Sequence, residues 1–288
     1  MRISDLLRLL LLAAIWGASF LFMRILAPVL GALWTTEIRV ALAFCALTAF
    51  LYLTRRTLAL RANGRHYLVI GLFNSALPFP LFAYAALTLP AGYSAIMNAT
   101  TPLWGALLAV LALKERLTLR KIGGLLLGIG GVALLVRLGP AHMNMQSALA
   151  IAACLLAALS YAIAGIYSRK KSGAIAAPLM ATGSQGAAAL LLLPLALCQP
   201  VTTSVTPLVV AVALALALLC TALAYLLFFR LIADVGATRA LTVTFLIPLF
   251  ALLWGTLFLH EAITPSMLAG CALVVLAMWL VLFQRKAP

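Results

Sequence analysis

A chain of 288 residues that is 66% hydrophobic and only 9% charged has too few polar side chains to cover the exterior of a soluble globule, so lipid is its solvent. Its net charge of +15 is scattered between apolar runs, with no basic face interleaved with aromatics. The charge therefore reads as headgroup anchoring and orientation, and no nucleic-acid partner is expected.

Ten apolar runs near the roughly 20 residues that span a bilayer follow one another at about 6–27, 33–53, 66–88, 91–112, 119–138, 147–168, 176–197, 206–229, 237–258 and 265–284. The first is too long for the apolar region of a signal peptide, and it holds Trp16 at mid-helix. The second starts near Trp34, a membrane-interface residue, and carries Glu37 and Arg39. These charges are two apart and so do not face each other; Arg24, near the end of the first helix, is a candidate partner for Glu37. The third is broken by Pro78-Phe79-Pro80 after Asn74 and Ser75. Two prolines that close distort a helix, which predicts a segment lining a cavity, with Phe79 and Tyr84 as wall residues. The fourth carries Asn98, Thr100, Thr101, Pro102 and Trp104. Two readings of Pro102 stand: a packing kink, or a bend at mid-membrane. The neighbouring Asn and Thr side chains satisfy the freed carbonyls or reach a ligand.

The turn Lys114-Glu115-Arg116-Leu117-Thr118 follows, and then a fifth helix with a G-x-x-x-G at Gly124 and Gly128, and Gly131 on the same face. Such stripes bring helices close together, here more simply inside the bundle than in a dimer. Tyr161 lies at mid-depth in the sixth helix and Tyr225 in the eighth. A mid-membrane indole or phenol needs a partner for its polar atom and tends to face a polar cavity. The ninth helix holds Pro248, flanked by Thr242 and Thr244; the tenth follows His260-Glu261-Ala262-Ile263-Thr264 and ends near Trp279, another interface residue. Glu115 and Glu261 lie where a carboxylate meets the next helix's N-terminus and a nearby arginine, a favourable structural placement.

The second half repeats the first. Pro102 matches Pro248, Lys114 His260, Glu115 Glu261, Thr118 Thr264 and Gly124 Gly270 at one offset; Trp16 with Arg24 matches Tyr161 with Arg169 at another. Each half is five helices, an odd number, so the second is upside down relative to the first. With the N-terminus in the cytoplasm, seventeen of the twenty Lys and Arg fall on the inner side; only Arg24, Arg39 and Arg137 fall on the outer. That asymmetry places both termini inside. The expected fold is an all-α polytopic membrane protein of ten transmembrane helices, as two inverted five-helix repeats at 1–139 and 145–288. Inverted repeats are the architecture of many secondary transporters, with a site near the midplane.

The stretches Trp16–Phe20 (WGASF), Asn98–Trp104 (NATTPLW), the K-E-R-L-T turn, the glycine-rich helix after it, and their second copy in Ile247–Phe250 (IPLF) and H-E-A-I-T resemble the EamA domain of the drug/metabolite transporter superfamily, in two tandem copies. Within it the chain is similar to the bacterial aromatic amino acid and methyl viologen exporter branch. The resemblance implies a multi-pass inner-membrane exporter of amino acids or related small metabolites, working by alternating access; the tips of helices 3–4 and 8–9 are expected to act as gates on opposite sides. Substrate-binding candidates are then Trp16, Phe79, Tyr84, Asn98, Thr101, Trp104, Tyr161 and Tyr225. Ring-lined walls also suit an organic cation. The small multidrug relatives exchange protons on a mid-depth glutamate in the first helix; helices 1 and 6 here carry no such carboxylate, so a carrier driven by its substrate's own gradient is equally consistent with these residues.

No enzyme is expected. His66, His142 and His260 lie at loops or helix ends, with no H-E-x-x-H and no G-x-S-x-G. The five cysteines form no C-x-x-C and read as small hydrophobes. No cofactor or metal is expected, and the expected partners are a small-molecule substrate and the bilayer, with the protein a monomer. A channel would need rings of charge or a carbonyl filter, and none is visible.

Overall fold

The computed structural model describes residues 2–115, 118–138, 144–172, 175–201 and 203–282. Arg116, His142, Arg285 and Lys286 lie outside these residues, as do the side chains of Arg137 and Lys171. Every regular element among the described residues is helical.

The first element, Ile3–Leu53, has 51 residues. As one straight helix it would run about 76 Å, more than twice the roughly 30 Å of a bilayer core. It breaks at Gly31, whose φ of 77° and ψ of 165° fall in a region that only glycine occupies freely. The chain reverses there without a loop: Met23 and Arg39, each eight positions from Gly31, come into contact. We call the two limbs α1 (3–30) and α2 (32–53). Gln199 closes the reversal, its side chain accepting from the Leu33 N–H at 3.2 Å and its carbonyl from the Trp34 indole at 2.8 Å.

The remaining crossings are α3 (Leu60–Ala85), α4 (Ala91–Leu113), α5 (Leu119–Leu138), α6 (Met145–Lys170), α7 (Ala177–Leu197), α8 (Pro207–Val235), α9 (Val243–Leu259) and α10 (Pro265–Leu282). With α1 and α2 this makes ten among the described residues. Two of them share an interior irregularity, a π-turn at Leu72–Ala76 in α3 and at Leu218–Leu223 in α8, starting 146 positions apart; a third π-turn, Ser168–Ser172, ends α6. Such π-turns are frequent at functional sites.

The repeat is visible in backbone detail. Lys114 and His260 both take the left-handed conformation, at φ 55° and 54°. Each is followed by a glutamate whose N–H reaches back six residues, Glu115 to Ala109 and Glu261 to Gly255. Thr118 and Thr264 then cap the next helix, accepting from the N–H of Lys121 and Met267 at 3.3 Å each. These twin turns sit at opposite ends of α4. Glu115 lies two positions past its C-terminal residue, whereas Glu261 accepts the N–H of Ala91 at its first residue. The helix between them is 23 residues, or about 34 Å. The two halves are therefore inverted.

The glycine stripe of α5 is used internally, against α10. A Cβ on Gly124 would lie 2.9 Å from the Ala277 carbonyl oxygen, and one on Gly131 would lie 3.1 Å from that of Gly270.

Candidate functional site

Pro102 cannot accept an ordinary helix at its back: its ring blocks the carbonyl of residue 98. Thr101 supplies the missing partner, its hydroxyl donating to the Asn98 carbonyl at 2.7 Å, and Thr100 donates to Met97 in the same way. The helix is broken at 99–100, which leaves the Asn98 carboxamide at the edge of a central cavity of about 600 Å³. That volume lies in the usual range for small-molecule sites.

The cavity runs from one face of the bundle to its middle. Its mouth is lined by Glu115, Lys121, Arg169 and Leu282, all at helix ends on the Lys114 face. Its blind end is formed by Met23, Phe20, Phe82, Phe79 and Arg39. Phe20 and Phe82 meet edge to face at 5.5 Å, and Phe82 stacks on Tyr161 at 6.1 Å. Trp16 contacts Phe228 at 5.2 Å on the opposite wall.

Several wall residues are repeat pairs. Asn74 and Cys220, Phe79 and Tyr225, Phe82 and Phe228, and Asn98 and Thr244 are each 146 positions apart, and all eight line the cavity, as do Trp16 and Tyr161. The cavity lies on the pseudo-twofold that relates the halves.

The structure brings together Trp16, Phe79, Asn98, Thr101, Tyr161 and Tyr225 of the expected residues. Tyr84 and Trp104 are not in the wall. Tyr84 is 39% exposed; the π-turn and Pro78 reset the phase of α3, so that Phe79 and Phe82 face inward and Tyr84 faces away. Trp104 lies about a third of a turn round α4 from the stripe of Asn98, Thr101, Gly105 and Ala109 that faces the cavity. Arg39 was missed as a wall residue. It is 6% exposed, with its guanidinium carbon 3.7 Å from the Phe79 ring centroid and its Nε donating to Thr221 Oγ1 at 2.9 Å. No acidic side chain among the described residues pairs with it. On insertion scales an arginine at helix centre costs about 2.5–3.5 kcal/mol. The signal in the sequence was that cost itself, which marks any intramembrane charge.

The expected pairing of Arg24 with Glu37 does not form. Arg24 turns toward the α3–α4 tip, donating to the Ala86 carbonyl at 2.6 Å and lying 3.6 Å from Glu261. Glu37 is buried, with Oε2 lacking a hydrogen-bond partner among the described residues. The Arg24–Glu261 pair has a twin: Glu115 binds Arg169 at 2.9 Å and Lys121 at 3.0 Å. Each repeat's turn glutamate thus holds the arginine at the end of the other repeat's first helix.

The twins are not in the same state. On the His260 face, Glu261 also binds the start of α4 through both oxygens, at 3.1 and 3.0 Å. Gly92 packs on Leu252 and Gly255 on Glu261 so closely that a Cβ at either position would displace the end of that side chain. That face is sealed. Burial pushes the Glu261 carboxyl above its usual 4.5, against the pull of the Ala91 N–H and Arg24. On the open Lys114 face, hydrogen bonds from Lys121 and Arg169 hold Glu115 below that value.

The EamA-like transporter family matches the chain twice, over residues 4–137 and 148–283. The chain is 28% identical to the uncharacterized transporter YvbV of Bacillus subtilis, over 80% of this chain and 75% of that one. It is 30% identical to protein PecM of Dickeya dadantii over 76% and 75%, and 29% identical to a WAT1-related chloroplastic protein, At3g02690, of Arabidopsis thaliana over 94% and 67%. A crystal structure at 18% identity superposes with a TM-score of 0.67, covering 97% of this chain and 96% of the other, which shows the shared fold.

Proposed function

Since the chain belongs to the EamA-like transporter family, we propose that it is a secondary transporter that exports small metabolites, amino acids among them, across a bacterial inner membrane by alternating access. The observation that carries this reading is the cavity: ring-lined, open at the Lys114 face, blind at mid-depth, and sealed beyond by the Glu261 contacts. The excess of Lys and Arg on the Lys114 side assigns that face to the cytoplasm, so the state seen is the loading state of an exporter. Exchange of the Glu115 and Glu261 contacts between faces is the step that would reverse access. The 1–139 and 145–288 halves are the units that rock, and the wall residues Trp16, Phe79, Asn98, Thr101, Tyr161 and Tyr225 contact the substrate.

The aromatic wall also suits an organic cation such as methyl viologen, which is the second reading. The charges oppose it: Arg39, Lys121 and Arg169 line the cavity against Glu115 alone among the acids. The test is counterflow in proteoliposomes. Saturable flux of a labelled amino acid, lowered by unlabelled competitors, is expected; ohmic current indifferent to competitors would refute a carrier.

A further inference from the structure

We propose that Arg39 is the carboxylate anchor of the cavity, so that the transported molecule is a small organic acid that sits with its carboxylate on the guanidinium at the blind end and its apolar body between the rings nearer the mouth. The proposal rests on the transporter reading for its physiological meaning, and on geometry for the site.

Arginine cannot shed its charge as lysine can. A guanidinium held in a low-dielectric site without an acid requires either a structural reason or a visiting anion. The structural reason is removed by the other repeat. Arg39 donates from α2 to Thr221 on the π-turn of α8, at 2.9 Å. Gln185 donates from α7 to Ser75 on the π-turn of α3, also at 2.9 Å. Residues 39 and 185, and residues 75 and 221, are each 146 positions apart. The same joint is therefore built twice, once with a neutral amide. The joint does not need the charge; something else does.

The guanidinium is also posed for a planar acid. Phe79 covers one face and Thr221 holds Nε. Among the described residues, Nη1 has only the thioether of Met23, at 3.9 Å, and Nη2 has no hydrogen bond. The Nη1–Nη2 edge is thus presented to the cavity that Arg39 lines. Two parallel N–H donors are the arrangement that a carboxylate accepts bidentately. The Asn98 carboxamide, which makes no side-chain hydrogen bond to a described residue, and the rings of Trp16 and Tyr161 remain for the rest of the molecule. The excess of cations over acids in the lining draws anions in and discourages cations.

The test uses one body with three heads: 3-phenylpropionate, 3-phenylpropanamide and 2-phenylethylammonium, with phenylalanine as the zwitterion. Binding to the detergent-solubilised full chain is read by ligand-induced thermal shift, and transport by counterflow in liposomes. The carboxylates should bind and compete, and the amide and the cation should do so at least tenfold more weakly. Arg39→Gln should fold, because Gln185 already fills the equivalent joint, and should lose carboxylate affinity about 10- to 100-fold, or about 1.4–2.8 kcal/mol at 1.4 kcal/mol per tenfold; Arg39→Lys should keep part of it. Acid and amide binding equally in the wild type, or Arg39→Gln binding acids unchanged, overturns the anchor. A shift with phosphatidylglycerol but with none of the acids also overturns it, in favour of a lipid phosphate. Binding that depends on Arg39 without any flux leaves the anchor standing and sinks the transporter reading; flux insensitive to Arg39 does the reverse.

Discussion

Removing the Glu261 side chain should unseal the His260 face. In Glu261→Ala the first N–H of α4 loses its charged acceptor, a contact worth about 1.5–3 kcal/mol. Arg24 loses a partner at 3.6 Å with the two side chains 30% and 15% exposed, which adds up to about 1 kcal/mol. The closed-face preference should therefore weaken by about 1.5–4 kcal/mol, a shift of roughly 10- to 700-fold toward opening at 1.4 kcal/mol per tenfold. The assay is labelling by a membrane-impermeant maleimide in a background without the five free cysteines. A cysteine at Ala91, 2% exposed on the sealed side, should react faster by up to that factor. A cysteine at Gly165, in the open cavity with no atom near its Cβ, should react more slowly from the Lys114 side. Unchanged rates at both positions in folded protein would refute the idea that this contact holds the face shut.

Gly124→Ala should lower thermal stability by about 1–3 kcal/mol, since its Cβ meets Val281 at 2.6 Å and the Ala277 carbonyl at 2.9 Å; the neighbouring Gly123→Ala, with nothing within 4 Å, should be neutral or stabilising by up to about 1 kcal/mol. Replacing Lys114 or His260, both left-handed, with glycine should raise stability by about 0.5–1 kcal/mol each, read as melting temperature in detergent. The two glutamates should respond to acid with opposite signs. Glu115, held low, contributes stability above pH 4.5 that is lost as pH falls through its lowered value, so the deficit of Glu115→Gln should vanish in strong acid. Glu261, pushed up, takes its proton in the folded state first. Glu261→Gln should therefore be at least as stable as the wild type at neutral pH, with the gap closing as pH falls through the raised value toward 4.5. A Glu261→Gln variant markedly less stable than the wild type at neutral pH would contradict this.

Much of the architecture was legible because lipid enforces it. Ten runs long enough to cross, an odd number per repeat and a one-sided basic excess leave few topologies. The internal use of the Gly124 stripe and the role of Thr101 beside Pro102 were legible for the same reason, since close backbones and freed carbonyls must be satisfied locally. What could not be read was rotation about each helix axis. A π-turn has no composition of its own, so the phase change at Leu72–Ala76 that turns Phe79 inward and Tyr84 outward left no mark in the sequence. Arg39 was misjudged likewise: its depth was countable, but its direction depends on Thr221, 182 positions away. Arg24 found Glu261 in place of Glu37 because the nearest charge along the chain lies behind the hairpin, and the nearest in space comes from the other repeat.

The reversal at Gly31 has a mechanical consequence. Two membrane-long rods are hinged there by a single residue and pinned by Gln199 from across the bundle, so they cannot slide past one another or swing apart as rods on a tether would. Arg24 lies on one rod and Arg39 on the other, and the pin is expected to hold the spacing between them. A push delivered to the latch at one end would then be felt, within the same lever, by the group proposed to meet the cargo.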